Sequence, residues 1–554
     1  MGIDGNLTRK QFLGAVAVLA ASPKAALAGI KEPLQDPAPG VGLSDLASGD
    51  KLAGIALTDA RHKQALGVVK TNVANFNSVR ALKLDNAVEP NLVFTPRGRQ
   101  PKASKTTRVS VQAKAAGALG SSEDIAYSSL VDLAEAIRAK KISPVELTEL
   151  YLKRLDAYGD KLKCVITLTP ELARRQAKKC EQEIMSGHYR GPLHGVPYGI
   201  KDLFAVEGYR TTWGAEAFKE QVIDHDAAVV EKLTEAGAIC VAKTSCGALA
   251  YDDVWWGGQT KNPWNTKQGS SGSSAGSACS TAAGLVGFSI GTETLGSIIS
   301  PSNRCRVTGL RPTYGRVSRY GGMDLTWTMD KVGPICRTAQ DCAVVLGAIH
   351  GADPRDIASV DRPYRFSPQV DLKRLKVGVL TGDKENPIET ADWAKELSKM
   401  GADLKPIQFS TPPEGIWALL VAEASAFFEE LSRTEGIDKI GKLWPAEFLG
   451  ARYLPAVEYI NAHRARAVMA AKFEEEFGDF DVVVTDHYWD DIFTTCNGTG
   501  HPQCIIPWGV SDKNEPLSVS VVGRLYDEPT IASVAWRLQQ TRNFHTLRPD
   551  ASSW

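Results

Sequence analysis

Asp226 stands ahead of an amphipathic run from Ala227 to Ala236, Gly237 closes it, and the segment Ala238–Ala242 follows with no polar residue to turn toward water. Glycine supplies the left-handed residue on which helices commonly end, and a short apolar run after such a turn fits a strand covered on both faces. The succession continues further on: Lys376–Leu380 reads as a strand, Ala391–Met400 as a helix, and Leu404–Phe409 and Asp481–Thr485 as strands. Upstream, Ser143-Pro144-Val145-Glu146 joins a capping serine, a proline at the first helical position and a glutamate at the capping-box position, which predicts a helix through Leu155. This alternation predicts an α/β fold with one large sheet flanked by helices on both faces. There is no internal repeat.

A chain of 554 residues that is 43% hydrophobic can hold a core without metal or disulfide support. Its 64 Lys+Arg balance 64 Asp+Glu, so no basic footprint points to nucleic acid and no polybasic run points to a lipid surface. The ten cysteines are scattered without CxxC spacing and read mostly as buried thiols. The nine histidines include no HExxH pair. Neither a metal site nor a cofactor is expected, and any chemistry must come from side chains.

Residues 1–28 have the layout of an export signal: Arg9-Lys10, then Phe12-Leu13, an Ala-rich centre, and Ala26-Leu27-Ala28 before Gly29. The pair resembles a twin-arginine signal with lysine as its second member, and the expected location is periplasmic or in the cell envelope. A short helix on a cytoplasmic protein is the alternative. At roughly ten apolar residues the segment is too short to span a bilayer, and no other run is long enough. Residues 29–96 carry Leu66, Val69, Val73 and Phe76 at helical spacing and predict a small helical appendage. Residues 97–122, poor in large apolar groups, predict a flexible linker. The catalytic domain is then 123–554.

Two stretches carry the chemistry. PLHGVPYGIKDLF places Lys201 in an apolar run, and Gly269–Arg311 holds GSSGSSAGSACSTAAG followed by GTETLGSIISPSNRC, with Ser273 and Ser297 24 residues apart. Together with AAVVEKLTEAGAICVAKTSCGALA, GLRPTYGRVSRYGG, MDKVGPICRTAQDCAVVL and TGHPQCIIPWGV, in that order, these resemble the amidase signature family of amide hydrolases. The resemblance implies a large mixed sheet with the site at its centre and a small-molecule amide as substrate; a homodimer is compatible with it.

It also implies roles. Neutral Lys201 takes a proton from Ser273, Ser273 takes one from Ser297, and Ser297 attacks the carbonyl to form an acyl-enzyme. The Ser273 counterpart follows a cis peptide bond, which predicts one between Gly272 and Ser273. The backbone N–H groups of Thr294, Leu295, Gly296 and Ser297 would face the developing oxyanion. Burial within the apolar run would push the Lys201 amine toward its neutral form. Three positions depart from the family pattern: Leu295 where glycine is common, Glu293 where aspartate is usual, and Ile299 where many members carry arginine. Ile299 cannot anchor a carboxylate, which argues for an apolar acyl group. Trp255, Trp256, Trp327 and Trp489, with Tyr488–Phe493, are the aromatic candidates for the substrate pocket.

Each residue also has a plain reading, since a serine near glycine is most often a cap or loop residue and a lysine a surface cation. Three further alternatives apply to the whole chain. Gly272-Ser273-Ser274-Ala275-Gly276 fits the nucleophile elbow of α/β-hydrolases, with Ser274 as nucleophile, although a turn-forming segment and not a strand precedes it. The same signature occurs in the glutamine-hydrolysing A subunit of tRNA-dependent amidotransferases. A binding protein that kept the fold and lost turnover is the third.

Overall fold

Val482, Val483 and Val484 are all fully buried, because their strand has helices on both sides. Alternate residues of a strand face opposite ways. Val482 and Val484 join a core with the helices Ala339–Ile349 and Glu528–Gln539, whereas Val483 packs with Phe473 and Phe477 of the helix Ala456–Phe477. The strand Gln503–Val510 repeats the pattern, with Cys504 and Ile506 in the first core and Ile505 beside Ile299 and Phe493 on the other face.

Among the described residues eleven strands form this central sheet. From one edge the order is Asp403–Ile407, Lys376–Leu380, Val482–Thr485, Pro516–Gly523, Gln503–Val510 and Thr308–Arg311. It continues through Lys331–Cys336, Phe288–Glu293, Pro197–Lys201, Ile239–Thr244 and Val165–Leu168. The sheet is mixed: antiparallel pairs fill its middle, and Phe288–Glu293, Pro197–Lys201 and Ile239–Thr244 run parallel. Ile200 is in register with Ile290, so Lys201 and Thr292 emerge side by side at the carboxyl ends of neighbouring parallel strands. Open α/β sheets place their sites outside that end.

This computed structural model describes residues 40–81, 107–113, 120–380, 391–410, 415–432, 434–486 and 491–554. The expected signal over 1–28 lies outside them. Leu43–Trp554 forms one unit. Helix boundaries follow the local signals: Ser143 and Glu146 form the capping box of Pro144–Tyr158, and Gly237 takes a φ of +80° after Ala228–Glu235. Asp226 does not cap that helix; its carboxylate accepts the Glu207 amide at 2.8 Å.

The segment read as an appendage contains the helices Leu43–Ala53 and Asp59–Ala81. Val69 and Phe76 are buried there and Leu66 and Val73 are half-buried. These helices pack on the rest of the unit, with Arg61 forming a bidentate ion pair to Asp438 at 2.7 Å. Within the stretch read as a linker, Thr107–Val109 pairs in parallel with Tyr364–Phe366. Short-range composition shows only that such a stretch lacks a core of its own; the partner strand lies more than 250 residues away. Among the described residues no helix is long and apolar enough to cross a membrane.

Candidate active site

Lys201 ends its strand with its ammonium group buried completely. Nζ lies 2.8 Å from Ser273 Oγ, 2.8 Å from Thr292 Oγ1 and 3.4 Å from the Thr292 carbonyl oxygen. Burial lowers its pKa to about 8, against weaker opposing fields from Cys246, Asp330 and Glu293. A neutral amine has two N–H groups and one lone pair. Thr292 can take both N–H groups, which leaves the lone pair for the Ser273 hydroxyl.

The Gly272–Ser273 peptide is cis. Ser273 is 1% exposed and Ser297 8% exposed. The two loops meet through the Ser274 amide, which donates to the Ser297 carbonyl at 3.1 Å. Among the described residues the Ser297 hydroxyl makes no hydrogen bond, so the Ser273–Ser297 link is not formed here. Ser274 is fully buried, and its hydroxyl donates to the Thr292 carbonyl at 3.1 Å and accepts the Thr292 amide at 3.2 Å. It opens the helix Ala275–Ala282 and fastens the loop to the sheet, which is not the exposed position an elbow nucleophile occupies.

The turn from Thr294 to Ser297 is held from below by charge. Glu293 Oε2 accepts the amides of Ile298 and Ile299 at 2.8 and 2.9 Å, and Oε1 accepts from Arg311 Nη1 at 2.7 Å. Both members of that ion pair are fully buried. Burial alone would raise the Glu293 carboxyl, but Arg311, Lys331 and the two amides outweigh it and hold it below its usual value. Thr294 is gripped twice: its hydroxyl donates to Asp330 Oδ1 at 2.5 Å, and its carbonyl accepts from Lys331 Nζ at 3.1 Å. Across a trans peptide the N–H points away from the C=O, so anchoring the Thr294 carbonyl on Lys331 turns the Leu295 N–H away from that lysine. Gly296 adopts φ +100°, which a side chain would resist. Among the described residues the amides of Leu295, Gly296 and Ser297 donate to no protein group.

A cavity of about 410 Å³ opens over this turn. Gly272, Ser271, Thr294, Leu295 and Ser297 form its floor. Tyr251, Leu325, Trp417, Leu420 and Trp444 form largely apolar walls, and Asp252 is its one carboxylate among the described residues. A buried amine beside one serine, a second serine among unpaired amides, and an apolar cavity above both are the parts that acyl transfer requires.

A family model described as Amidase matches residues 146–487. The chain belongs to the amidase family. This family member is 31% identical to the A subunit of the glutamyl-tRNA(Gln) amidotransferase of Roseiflexus sp. (strain RS-1), over 76% of its own length and 98% of the relative's. It is 32% identical to the same subunit from Methylococcus capsulatus, with the same coverage. Among solved structures it resembles the peptide amidase of Stenotrophomonas maltophilia, with a TM-score of 0.66 and 28% identity over 76% of this chain and 98% of that one. An amidase family protein from Bacillus anthracis shares the fold, with a TM-score of 0.68 at 24% identity over 77% and 93% of the two chains.

In this amidase-family chain several sequence-nominated pocket residues lie elsewhere. Ile299 is fully buried with Phe493 and Ile505, with Leu295 packed against the cluster, so it supports the turn from beneath and lines no wall of the cavity. Trp255 donates to the Lys163 carbonyl at 3.1 Å and Trp256 to Thr212 Oγ1 at 3.1 Å. Their indoles thus brace the loops at Lys163 and Thr212. Trp327 is 44% exposed and borders a different cleft, with Glu423 and Tyr459. Trp489 and Tyr488 lie outside the described residues. Aromaticity marks an apolar body and not a position, which is why these four could not be sorted in advance. Two of the walls come from the helices Ile416–Phe427 and Trp444–Ala451, which lie outside every motif, so no local pattern marks Trp417 or Trp444.

Proposed function

We propose that this protein hydrolyses a linear carboxamide through a serine acyl-enzyme, with Ser297 as nucleophile, Ser273 as proton relay and Lys201 as base. The observation that carries the reading is the fully buried Lys201 amine, 2.8 Å from Ser273, in the loop joined to Ser297. The Ser297 hydroxyl turns toward Ser273 when substrate is bound; catalytic hydrogen bonds often align only in that complex. Its proton passes to Ser273 as the Ser273 proton passes to Lys201. The Ser297 oxygen adds to the carbonyl carbon, and the oxyanion takes N–H groups from Leu295, Gly296 and Ser297. The C–N bond then breaks, the nitrogen leaves with the proton returned along the same path, and water hydrolyses the ester to free Ser297. Removal of one such oxyanion donor costs roughly 10² to 10³ in turnover.

The cavity supports an amide with an apolar body. A free α-amino acid carries both an ammonium and a carboxylate, and among the described lining residues there is one carboxylate, Asp252, and no cation. The curated relatives support a second reading, a glutamine-hydrolysing A subunit of a tRNA-dependent amidotransferase, through 31–32% identity along 98% of their length. That is a stronger sequence likeness than the peptide amidase offers. Export through residues 1–28, which we also propose, belongs with the first reading only, because a secreted chain does not meet aminoacyl-tRNA.

Fluorophosphonate labelling followed by peptide mass spectrometry tests the machinery: label on Ser297 that is lost in Lys201→Ala supports it, and label on Ser274 overturns it. Ammonia release by the purified chain alone then separates the readings. Turnover of N-acetyl-phenylalaninamide well above that of glutamine supports the amidase; preference for glutamine supports the amidotransferase reading.

A further inference from the structure

The helices Leu43–Ala53 and Asp59–Ala81 lie ahead of the residues matched by the family model, and the amidase reading gives them no task. Their contacts do. A Cβ added to Gly450 would sit 2.5 Å from Val68 Cγ1, and one added to Gly415 would sit 2.5 Å from Val79 Cγ2. Carbon atoms pack at about 3.5–4.0 Å, so at both points glycine is what lets the two helices close. Gly450 lies in Trp444–Ala451, which supplies Trp444 to the cavity, and Gly415 starts Ile416–Phe427, which supplies Trp417 and Leu420.

Val68 and Val79 are eleven residues apart, about three helical turns, so they share one face and stand roughly 16 Å apart along the axis. One straight helix therefore spans both cavity walls. The walls are also tied to each other, since Trp417 Nε1 donates to Glu447 Oε2 at 3.3 Å. Polar contacts lock the brace where its two helices meet. Arg61 pairs with Asp438, Tyr453 donates to Asp50 Oδ1 at 2.5 Å, and Asp50 Oδ2 accepts the Leu57 amide at 2.8 Å beside His62 Nε2 at 3.0 Å. On the inner edge, Trp444 Nε1 donates to the Ala248 carbonyl at 3.1 Å, which carries the wall's position to the loop next to Ala250 and Tyr251.

We infer that the N-terminal helices are part of the substrate site at one remove. Val68 and Val79 are positioning residues that set how closely Trp444 and Trp417 approach each other, and hence how bulky an amide fits over Ser297. The inference rests on the amidase reading for its substrate and on the packing alone for its mechanics.

The test uses full-length protein with Gly450→Ala and Gly415→Ala, singly and together. Each added methyl forces its wall away from the brace helix, toward the cavity, by about an ångström. The expected result is a rise of about tenfold or more in KM for N-acetyl-phenylalaninamide, with kcat/KM for acetamide unchanged, because acetamide does not reach the tryptophans. Val68→Ala in the Gly450→Ala background removes the Cγ1 contact but keeps Cβ 2.8 Å from the added methyl, so it brings KM part of the way back toward wild type. A parallel loss on both substrates, or no change on either, overturns the inference. Hydrogen exchange supplies a readout independent of turnover. Amides of 416–427 and 444–451 should exchange faster in the variants while those of 288–293 do not, and Val68→Ala should lessen the change in 444–451. If the wild-type chain hydrolyses neither amide, the amidase reading fails. The brace is then judged by exchange, and unchanged exchange in both helices rejects it.

Discussion

Lys201 should give the pH–rate profile an alkaline limb. Its amine reacts only when neutral, and burial places the pKa at about 8 against an ordinary 10.5. At pH 7 about 10% of such a group is neutral, at pH 6 about 1% and at pH 9 about 90%, so kcat/KM should rise roughly tenfold per pH unit and level off above 8. With the ordinary value only about 0.03% would be neutral at pH 7. Burial therefore raises the reactive fraction about 300-fold, equivalent to about 3 kcal/mol. The assay is ammonia release from a primary amide between pH 5.5 and 10, with Lys201→Ala alongside. Of the neighbouring groups, Glu293 is held ionised below its usual range and burial raises the Cys246 thiol, so neither titrates near 8. Asp324, beside the cavity residue Leu325, is raised by burial to about 7 and needs the control Asp324→Asn, which should leave the limb in place. A flat profile, an acidic optimum, or a limb that persists in Lys201→Ala would refute the assignment. Linkage gives a second check. The unfolded chain binds the Lys201 proton up to about pH 10.5 and the folded chain only up to about 8, so this group's stability cost is full below 8 and disappears as pH rises through 10.5. Lys201→Met should lose activity at every pH and compare best with wild type in stability at neutral pH.

Glu293→Gln leaves the buried Arg311 guanidinium without its counter-charge and should destabilise the fold by about 3–5 kcal/mol, read by urea denaturation; a loss under 1 kcal/mol would mean the pair does not hold the turn. Asn72 is buried in Asp59–Ala81 and, among the described residues, both its side-chain amide atoms are unpartnered, so Asn72→Leu should stabilise by about 1–3 kcal/mol. A fall in Tm would contradict this. Ser274→Ala should leave fluorophosphonate labelling at Ser297 intact while lowering Tm, because the hydroxyl fastens the loop to Thr292; abolished labelling with unchanged Tm would restore the elbow. N-terminal sequencing of protein from the envelope fraction should begin at Gly29, and an intact Met1 in the cytoplasm would remove the argument for export.

What was legible in the sequence depended on local or collinear signals. Ser143 and Glu146 announced their helix because a capping box closes within four residues, and Lys376–Leu380 announced a strand because a run buried on both faces has no polar alternation to confuse it. Lys201, Ser273 and Ser297 were legible together because their spacing and flanks occur as a set. Their meeting was not. Lys201 reaches Thr292 because Ile200 pairs with Ile290 across two parallel strands, and it reaches Ser273 because Ser274 fastens that loop to Thr292.

Trp255 and Trp256 read as pocket residues in the sequence, yet their indoles bond to Lys163 and Thr212, whereas Trp417 and Trp444, which no motif marks, wall the cavity. The N-terminal helix was visible from Leu66, Val69, Val73 and Phe76, whereas its purpose depends on Gly415 and Gly450, which read as ordinary glycines until Val79 and Val68 are seen against them. Read along the chain alone, caps, periodicity and motif order act over a few residues, and they specify most elements, the family and the candidate residues for the proposed chemistry. Tertiary structure alone decided the depressed lysine pKa, the anchored turn and the shape of the cavity, because desolvation, charge pairing and close packing are set by groups that lie near one another in space but far apart along the chain.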